Sequence, residues 1–79
     1  MYYVYILQSI EFPEKHYTGF TKDIDSRFLK HNNGEVPHTT KYKPWKLLVY
    51  ITFESKVRAI AFEKYLKSHS GRAFASKHF

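Results

Sequence analysis

The chain contains no cysteine, and only three glycines and three prolines occur among its 79 residues. The lack of cysteine excludes disulfide bonds and zinc-thiolate sites, and it is consistent with a reducing compartment. No apolar stretch approaches the ~20 residues that a membrane-spanning helix requires. The apolar first residues lack a leading positive region and a small-residue cleavage site, so no signal peptide is predicted and a cytoplasmic location is expected.

Acidic residues are also scarce, because seven Asp and Glu stand against thirteen Lys and Arg, which gives a formal net charge of +6. A basic surface attracts polyanions, so the predicted partner is nucleic acid, with DNA the first choice. The positive charges are scattered instead of forming one face of an amphipathic helix, which argues against binding to a membrane surface. The alternative is a charge that serves only solubility.

The length of the chain predicts a single domain over residues 1–79, with a core near the lower limit for independent stability. Aromatic residues make up 19% of the sequence. Each buried ring removes roughly 150–250 Å² from water, so aromatic side chains are expected to supply much of the core.

Three segments rich in apolar, β-branched and aromatic residues predict strands at 2–7, 16–20 and 45–53. The first strand has apolar side chains at both parities, which predicts burial on both faces. The first two strands are predicted to form a hairpin, with Pro13 in the connecting loop. If the hairpin centres near Glu11, Tyr5 lies opposite Tyr17 on the same face.

The first helix is predicted to begin after an Asp23 cap and to end before Gly34. Ile24, Phe28 and His31 are spaced at i, i+4 and i+7, so they form its inward face. Arg27 lies one turn before His31 on a neighbouring stripe. The segment 35–46, rich in Lys, His, Thr and Pro, predicts an exposed basic loop.

Ser55 is predicted to cap a second helix that runs to about residue 68. Its inward face is predicted to combine two stripes: Val57, Ala61, Tyr65 and Ala59, Phe62, Leu66. The segment 70–72 is predicted to interrupt the chain before a short helix at 73–78. The order β-β-α-β-α-α indicates an α+β fold, in which a small three-stranded, largely antiparallel sheet is flanked by helices.

Five side chains in these elements suit phosphodiester hydrolysis: Tyr5, Tyr17, Arg27, His31 and Glu63. Phenols and imidazole can transfer protons, a guanidinium can hold a phosphate, and a carboxylate can hold a divalent metal ion. Each residue also has an ordinary interpretation. The tyrosines can be cross-strand aromatic pairs, the arginine a solvated helix residue, the histidine a packing residue, and the glutamate the partner of a lysine one turn later.

In their order and spacing these residues resemble the GIY-YIG endonuclease superfamily. The similarity is to small stand-alone members related to the N-terminal nuclease domain of the bacterial excinuclease incision subunit. Tyr3-Val4-Tyr5 resembles the first motif and Tyr17-Thr18-Gly19 the second. The segments 59–63 and 70–72 resemble the metal-site helix and the tail of the small members.

The resemblance implies a metal-dependent endonuclease that cleaves DNA, with structure-directed or weak specificity, in repair or processing. It implies that Tyr5, Tyr17, Arg27 and His31 are catalytic. Tyr5 would position or deprotonate the attacking water, Tyr17 would contact the water or the phosphate, and Arg27 would hold the phosphate. Glu63 would be the sole protein ligand of one divalent ion, Mg²⁺ or in its place Mn²⁺.

Further contacts to nucleic acid are predicted from basic side chains and one glycine. These residues are Gly19, Lys22, Lys41, Lys43, Lys67 and Arg72. The glycine either lets the substrate backbone approach closely or ends a strand. Phosphate contacts give affinity without sequence information. Tyr42 and Trp45 are predicted to stack on unpaired bases, unless the tryptophan belongs to the core.

The chain departs from the family pattern in two places, of which the first is tolerated because the last tyrosine carries the role, and the second keeps other functions open. The first motif has Tyr-Val in place of Gly-Ile, and the tail lacks the asparagine of many active members, with Ser76, Lys77 or His78 as possible replacements. The alternative is therefore a catalytically weak or inactive nucleic-acid-binding adaptor with the same fold. A third hypothesis is a protein-interaction domain whose Tyr and Phe surface docks a partner or a second copy. A homodimer or a protein partner that supplies specificity fits the nuclease interpretation as well.

Overall fold

Three strands and three helices follow one another in the order β-β-α-β-α-α in a computed structural model that describes residues 1–79. The strands are β1 (Tyr2–Ser9), β2 (His16–Thr21) and β3 (Trp45–Phe53). The helices are α1 (Ile24–Asn32), α2 (Lys56–Lys67) and α3 (His69–His78), and a short 3-10 turn occupies Thr40–Tyr42. The predicted α+β class and element order are confirmed. None of the helices has the length and apolar character that a membrane crossing requires.

The sheet has the strand order β2-β1-β3, and both pairings are antiparallel. In the hairpin, Tyr5 pairs with Gly19 and Tyr17 pairs with Leu7, so the predicted Tyr5–Tyr17 pair is wrong by two residues. The turn lies one residue later than expected, because the Ser9 amide donates to the Lys15 carbonyl at 3.0 Å. A shift of two residues keeps both tyrosines on the predicted face, since side chains alternate with a period of two.

The central strand β1 is buried on both faces, as predicted. On one face Val4 and Ile6 form a cluster with Ala59 and Leu66 of α2, and Phe74 of α3 packs against it. On the other face Tyr5, Leu7 and Trp45 form a second cluster, which Ile24 and Phe28 of α1 cover. This second face carries the first two residues predicted to be catalytic, because Tyr17 packs against the same cluster.

The predicted ends of α1 are confirmed. The Asp23 carboxylate accepts a hydrogen bond from the Ser26 amide at 3.1 Å, and Gly34 has a φ of 76°. Only glycine adopts that left-handed conformation without steric cost, which is why it follows the helix.

The segment after α1 is only partly the exposed basic loop that was predicted. Val36, Thr39 and Trp45 are buried. The Trp45 indole N–H donates to the Thr39 carbonyl at 2.8 Å, so its polar edge is satisfied inside the protein. Trp45 is therefore a core residue, and the prediction that it stacks on bases is wrong. Tyr42 is half-buried, with its ring edge-on to Phe12.

The face of α2 that meets the sheet carries Ala59 and Leu66, with Phe62 half-buried beside them. The other predicted stripe is wrong: Ala61 and Tyr65 are exposed, and Val57 is 78% exposed. Both stripes are apolar, so hydrophobicity alone does not distinguish them. The small Ala59 side chain is fully buried and allows the helix to lie close to the sheet.

The predicted interruption at 70–72 is also wrong, because α3 begins at His69. Ser68 ends α2 and caps α3, and its hydroxyl accepts a hydrogen bond from the Gly71 amide at 3.1 Å. Gly71 is buried inside α3, where a Cβ atom would overlap the carbonyl group of Tyr65. The glycine therefore allows α3 to cross closely over the end of α2.

Replacing Gly71 by alanine is expected to destabilise the fold by about 1–3 kcal/mol, because the added methyl group meets backbone that cannot rotate away. Ser70→Ala is the matched control, since Ser70 is an exposed neighbour in the same helix. Urea unfolding of the two variants measures the difference. Equal stability of the two would contradict the close crossing of α2 and α3.

Candidate active site

The rings of Tyr5, Tyr17 and His31 meet on the face of the sheet that α1 covers. The ring centroids are 6.3 Å apart for Tyr5 and Tyr17, 5.7 Å for Tyr5 and His31, and 5.0 Å for Tyr17 and His31. The structure thus brings together three of the four residues predicted to be catalytic, from β1, β2 and α1.

Gly19 lies directly opposite Tyr5 in the hairpin and provides the space for its ring. A Cβ atom at this position would overlap the phenol carbon and hydroxyl of Tyr5. The glycine of the second motif is therefore required by the tyrosine of the first. A contact of Gly19 with nucleic acid stays a prediction, since the structure gives this residue a different role.

A chain of hydrogen bonds leads from Tyr5 through His31 into the loop after α1. The Tyr5 hydroxyl lies 2.8 Å from His31 Nε2, and His31 Nδ1 lies 2.8 Å from the Thr39 hydroxyl. That hydroxyl also lies 3.2 Å from the Val36 carbonyl, which can only accept. If the single Thr39 hydrogen goes to the carbonyl, His31 carries its proton on Nδ1 and Nε2 accepts from Tyr5.

The His31 ring is neutral at neutral pH. Burial, reinforced by the positive charge of Arg27, lowers the pKa of His31 to about 4. A neutral imidazole has one free lone pair, and here the geometry directs it at the Tyr5 hydroxyl.

Tyr5 is a neutral phenol in the resting protein. Burial raises its pKa above the ordinary 10.0, the neighbouring Arg27 guanidinium partly offsets the rise, and Tyr17 and the charge of Glu63 add to it. Because the pKa of Tyr5 is raised and that of His31 is lowered, the proton stays on Tyr5 in the resting protein. The pair therefore acts as an oriented hydrogen bond between two neutral groups.

Arg27 lies between the phenols and a small groove. Its Nε atom is buried without a hydrogen-bond partner. The nearby Tyr5 phenol raises the pKa of Arg27, while burial opposes that rise. The groove, of about 220 Å³, is also lined by Lys22 and Lys30. A guanidinium with an unused donor beside two lysines suits an oxyanion such as phosphate.

Glu63 is half-buried and forms an ion pair with Lys67 at 3.2 Å. The ordinary interpretation of Glu63, as the partner of a lysine one turn later, is therefore correct for the resting protein. The charge of Glu63 also contributes to the raised pKa of Tyr5. No three His, Asp or Glu side chains lie close enough together to hold a metal ion. Mg²⁺ commonly binds one or two carboxylates and completes its shell with water and substrate phosphate, so the single carboxylate of Glu63 fits such an ion.

A larger groove of about 790 Å³ lies on the opposite face of the sheet, between the hairpin and α3. Its lining includes Tyr17, Lys15, Lys67 and Arg72. Tyr17 thus borders both the ring cluster and this groove. Within the cluster its ring lies closer to that of His31 than to that of Tyr5.

The predicted basic residues are divided among three places. Lys22 lies at the Arg27 groove, and Lys67 and Arg72 lie at the larger groove. Lys41 and Lys43 lie in the loop before β3 and line neither. The sequence reasoning missed Thr39, because nothing in an apparently exposed loop marks a threonine as the partner of a histidine eight residues earlier.

A family model for the GIY-YIG catalytic domain matches residues 1–77. The chain belongs to the GIY-YIG family. The match covers both tyrosine motifs, α1 and the helix that carries Glu63, and it confirms the resemblance found in the sequence. Membership places the chain among proteins with a nuclease-type catalytic domain.

Individual relatives carry the name UPF0213. A protein of Streptococcus pyogenes serotype M3 is 35% identical over 72 residues, which is 90% of this chain and 76% of the relative. A protein of Staphylococcus saprophyticus is 36% identical over 70 residues, which is 87% of this chain and 83% of the relative. The solution NMR structure of a UPF0213 protein from Bacillus halodurans superposes with a TM-score of 0.58 at 32% identity. It covers 98% of this chain and 84% of that one. None of these names states a substrate or an activity.

The low pKa of His31 predicts a pH dependence of stability. Folded His31 has a pKa of about 4 and the free side chain 6.5, so the unfolded chain takes up the proton first as pH falls. The free energy of unfolding therefore has its full value above about pH 6.5 and decreases as pH falls toward 4. The decrease between pH 7.5 and pH 5 amounts to about 2 kcal/mol. Urea unfolding should show this slope in the wild type and a flatter one in His31→Gln. Parallel slopes would contradict the buried neutral imidazole.

The hydrogen-bond chain predicts that His31 is protonated at Nδ1 at neutral pH. The ¹⁵N chemical shifts of the ring should show this tautomer in the wild type and lose the preference in Thr39→Val. Thr40→Val is the matched control, because the Thr40 hydroxyl bonds to the Gly34 and Val36 carbonyls and not to His31. An Nε2–H tautomer in the wild type would reverse the direction of the Tyr5 hydrogen bond.

Proposed function

We propose that the protein is a metal-dependent endonuclease that hydrolyses DNA phosphodiester bonds, with weak or structure-directed specificity, in cytoplasmic DNA repair or processing. The observation that carries the proposal is the buried, unpartnered Nε of Arg27 beside Tyr5. A buried donor without an acceptor is costly, and a phosphate oxygen would satisfy it. Membership of the GIY-YIG family supports the nuclease class.

Arg27 binds the scissile phosphate in this mechanism and stabilises the negative charge that develops on its oxygens. Lys22 and Lys30 line the same groove and hold the neighbouring backbone. Lys22 lies in the turn before α1, and Arg27 and Lys30 lie in α1 itself. This helix therefore orients the phosphate relative to the sheet.

Tyr5 directs the attacking water. Its hydroxyl hydrogen is held by His31 Nε2, so an oxygen lone pair is left to accept a hydrogen bond from water. As the water oxygen bonds to phosphorus and the bond from phosphorus to the leaving oxygen breaks, Tyr5 accepts the water proton while its own proton moves to His31. The leaving oxygen takes a proton from solvent water or, by way of Tyr5, from His31. Tyr17 lies beside both rings and orients the same water or a phosphate oxygen.

Glu63 would hold the divalent ion, Mg²⁺ or Mn²⁺, through a single carboxylate. When bound, such an ion supplies positive charge for the phosphoryl oxygens and the leaving group. Lys67 competes for the same carboxylate, so binding of the ion in the absence of nucleic acid should be weak.

The second candidate function is a nucleic-acid-binding adaptor without turnover. The Glu63–Lys67 ion pair favours it, because the only proposed metal ligand already has a positive partner. The absence of an asparagine in the tail points in the same direction.

Cleavage of labelled single-stranded, duplex, flap and branched DNA in Mg²⁺, Mn²⁺ or EDTA tests the proposal. Metal-dependent cleavage is expected from the wild type. Tyr5→Phe should reduce the rate about 10²–10⁴-fold, because it removes the proton-transferring hydroxyl, and Glu63→Gln should abolish the response to metal. Binding without cleavage, equal in all variants, would establish the adaptor instead.

Matched controls separate these effects from changes in fold or charge. Tyr65→Phe removes an exposed hydroxyl from α2, and Glu54→Gln removes an exposed carboxylate before the same helix. Both should cleave like the wild type. Full metal-dependent activity in Glu63→Gln would refute the assignment of Glu63 as the ligand.

A further inference from the structure

Tyr3 and Tyr50 form an open aromatic pair next to Tyr5. Tyr3 precedes Tyr5 by two residues in β1, and Tyr50 is paired with Tyr5 across β3, so all three side chains lie on one face of the sheet. The Tyr3 and Tyr50 rings meet edge to face, with centroids 5.8 Å apart. Tyr50 is 49% exposed, whereas Tyr5 is buried.

Tyr50 is exposed and Tyr3 is half-buried, in contrast with the rest of the same face. Tyr5, Leu7 and Trp45 are covered by α1 and the loop that follows it. Tyr3 and Tyr50 belong to neither of the two core clusters. Two aromatic rings therefore line the sheet surface beyond the edge of the catalytic ring cluster.

The pair lies next to the groove that holds Arg27. Tyr3 is paired with Thr21 of β2, and Thr21 lines that groove together with Lys22. Tyr50 is two strands away from β2, a distance of about 10 Å. A nucleotide chain whose phosphate contacts Arg27 can thus extend across β1 toward Tyr50.

We infer that Tyr3 and Tyr50 form a stacking subsite for an unpaired nucleobase adjacent to the phosphate bound at Arg27. The inference rests on the proposed function, and it deepens that function by naming what the substrate presents. Aromatic rings stack on any base, because every base has a π-face. The neighbouring lysines and arginine favour a polyanionic ligand over an apolar protein segment.

This subsite constrains the substrate near the cleaved bond. A base inside an intact duplex is stacked between its neighbours and offers no free face to the tyrosines. The base at this position is therefore in a single strand, a flap or a loop, or it is extruded from a helix. Because stacking is tolerant of base identity, the subsite selects unpaired structure and not sequence.

Binding measured in EDTA separates the subsite from catalysis. Fluorescently labelled single-stranded oligonucleotides are titrated with the wild type, Tyr50→Phe and Tyr50→Leu, after circular dichroism has shown that each is folded. Tyr50→Leu should weaken binding by about 5- to 150-fold, which corresponds to a stacking energy of about 1–3 kcal/mol per base. Tyr50→Phe keeps a ring and should bind like the wild type. Tyr65→Leu, which alters a tyrosine of α2 that is 41% exposed, is the matched control.

Abasic substitution along the oligonucleotide identifies the base. At one position the abasic substitution should weaken oligonucleotide binding by the wild type and leave binding by Tyr50→Leu unchanged. That result would show that the abasic substitution and the Tyr50→Leu substitution remove the same contact. Additive losses at every position, or equal affinity of Tyr50→Leu and wild type, would overturn the subsite even if cleavage is intact. A concentration-dependent dimer lost in Tyr50→Leu, with unchanged DNA affinity, would instead assign the surface to a second copy. Absence of binding to any single-stranded oligonucleotide would overturn the subsite, whereas the proposed function fails separately if no DNA of the labelled panel is cleaved in Mg²⁺ or Mn²⁺.

Discussion

The hydrogen bond between the Tyr5 hydroxyl and the buried His31 imidazole is the contact on which the candidate site depends. It joins the central strand to α1, and both of its partners are held from behind. Gly19 leaves the space in which the Tyr5 ring lies, and Thr39 holds the far nitrogen of His31. β1, β2, α1 and the loop after α1 therefore all constrain the position of the Tyr5 hydroxyl oxygen. A group that takes part in catalysis requires such a fixed position.

The same site carries unfavourable groups that the fold does not need for stability. The Arg27 Nε nitrogen is buried without a partner and opposes folding, and the buried His31 imidazole opposes it as pH falls below 6.5, because its neutral form is favoured in the folded protein. In a domain of 79 residues the total stability is roughly 4–12 kcal/mol, so one buried unsatisfied donor, at about 1–3 kcal/mol, is a sizeable share of it. Groups that break local rules in this way without a structural benefit are typical of functional sites.

Most of the fold can be predicted from local sequence signals. The predictions that were wrong concern features that depend on contacts between elements. The Asp23 and Ser55 caps, the positive φ of Gly34 and the 45–53 strand are readable because each depends on nearby residues. The hairpin register depends on a turn whose length its residues do not specify. The buried face of α2 and the continuity of α3 depend on how closely helices approach the sheet and one another. In the site, spacing identified the tyrosines, Arg27 and His31, but Thr39 required the folded loop.

The charges of the site explain why the chain alone cannot ionise Tyr5. Burial raises the pKa of the phenol, Tyr17 and Glu63 add to the rise, and a bound phosphate would raise it further. Arg27 alone does not compensate, because the pKa of Tyr5 is raised even with that guanidinium beside it. In the proposed mechanism, additional positive charge would enter with the nucleic acid, and the Glu63 carboxylate would attract it. Substrate and cation would then favour each other's binding, because the charge of each offsets that of the other, whereas the resting protein holds a neutral phenol hydrogen-bonded to a neutral imidazole.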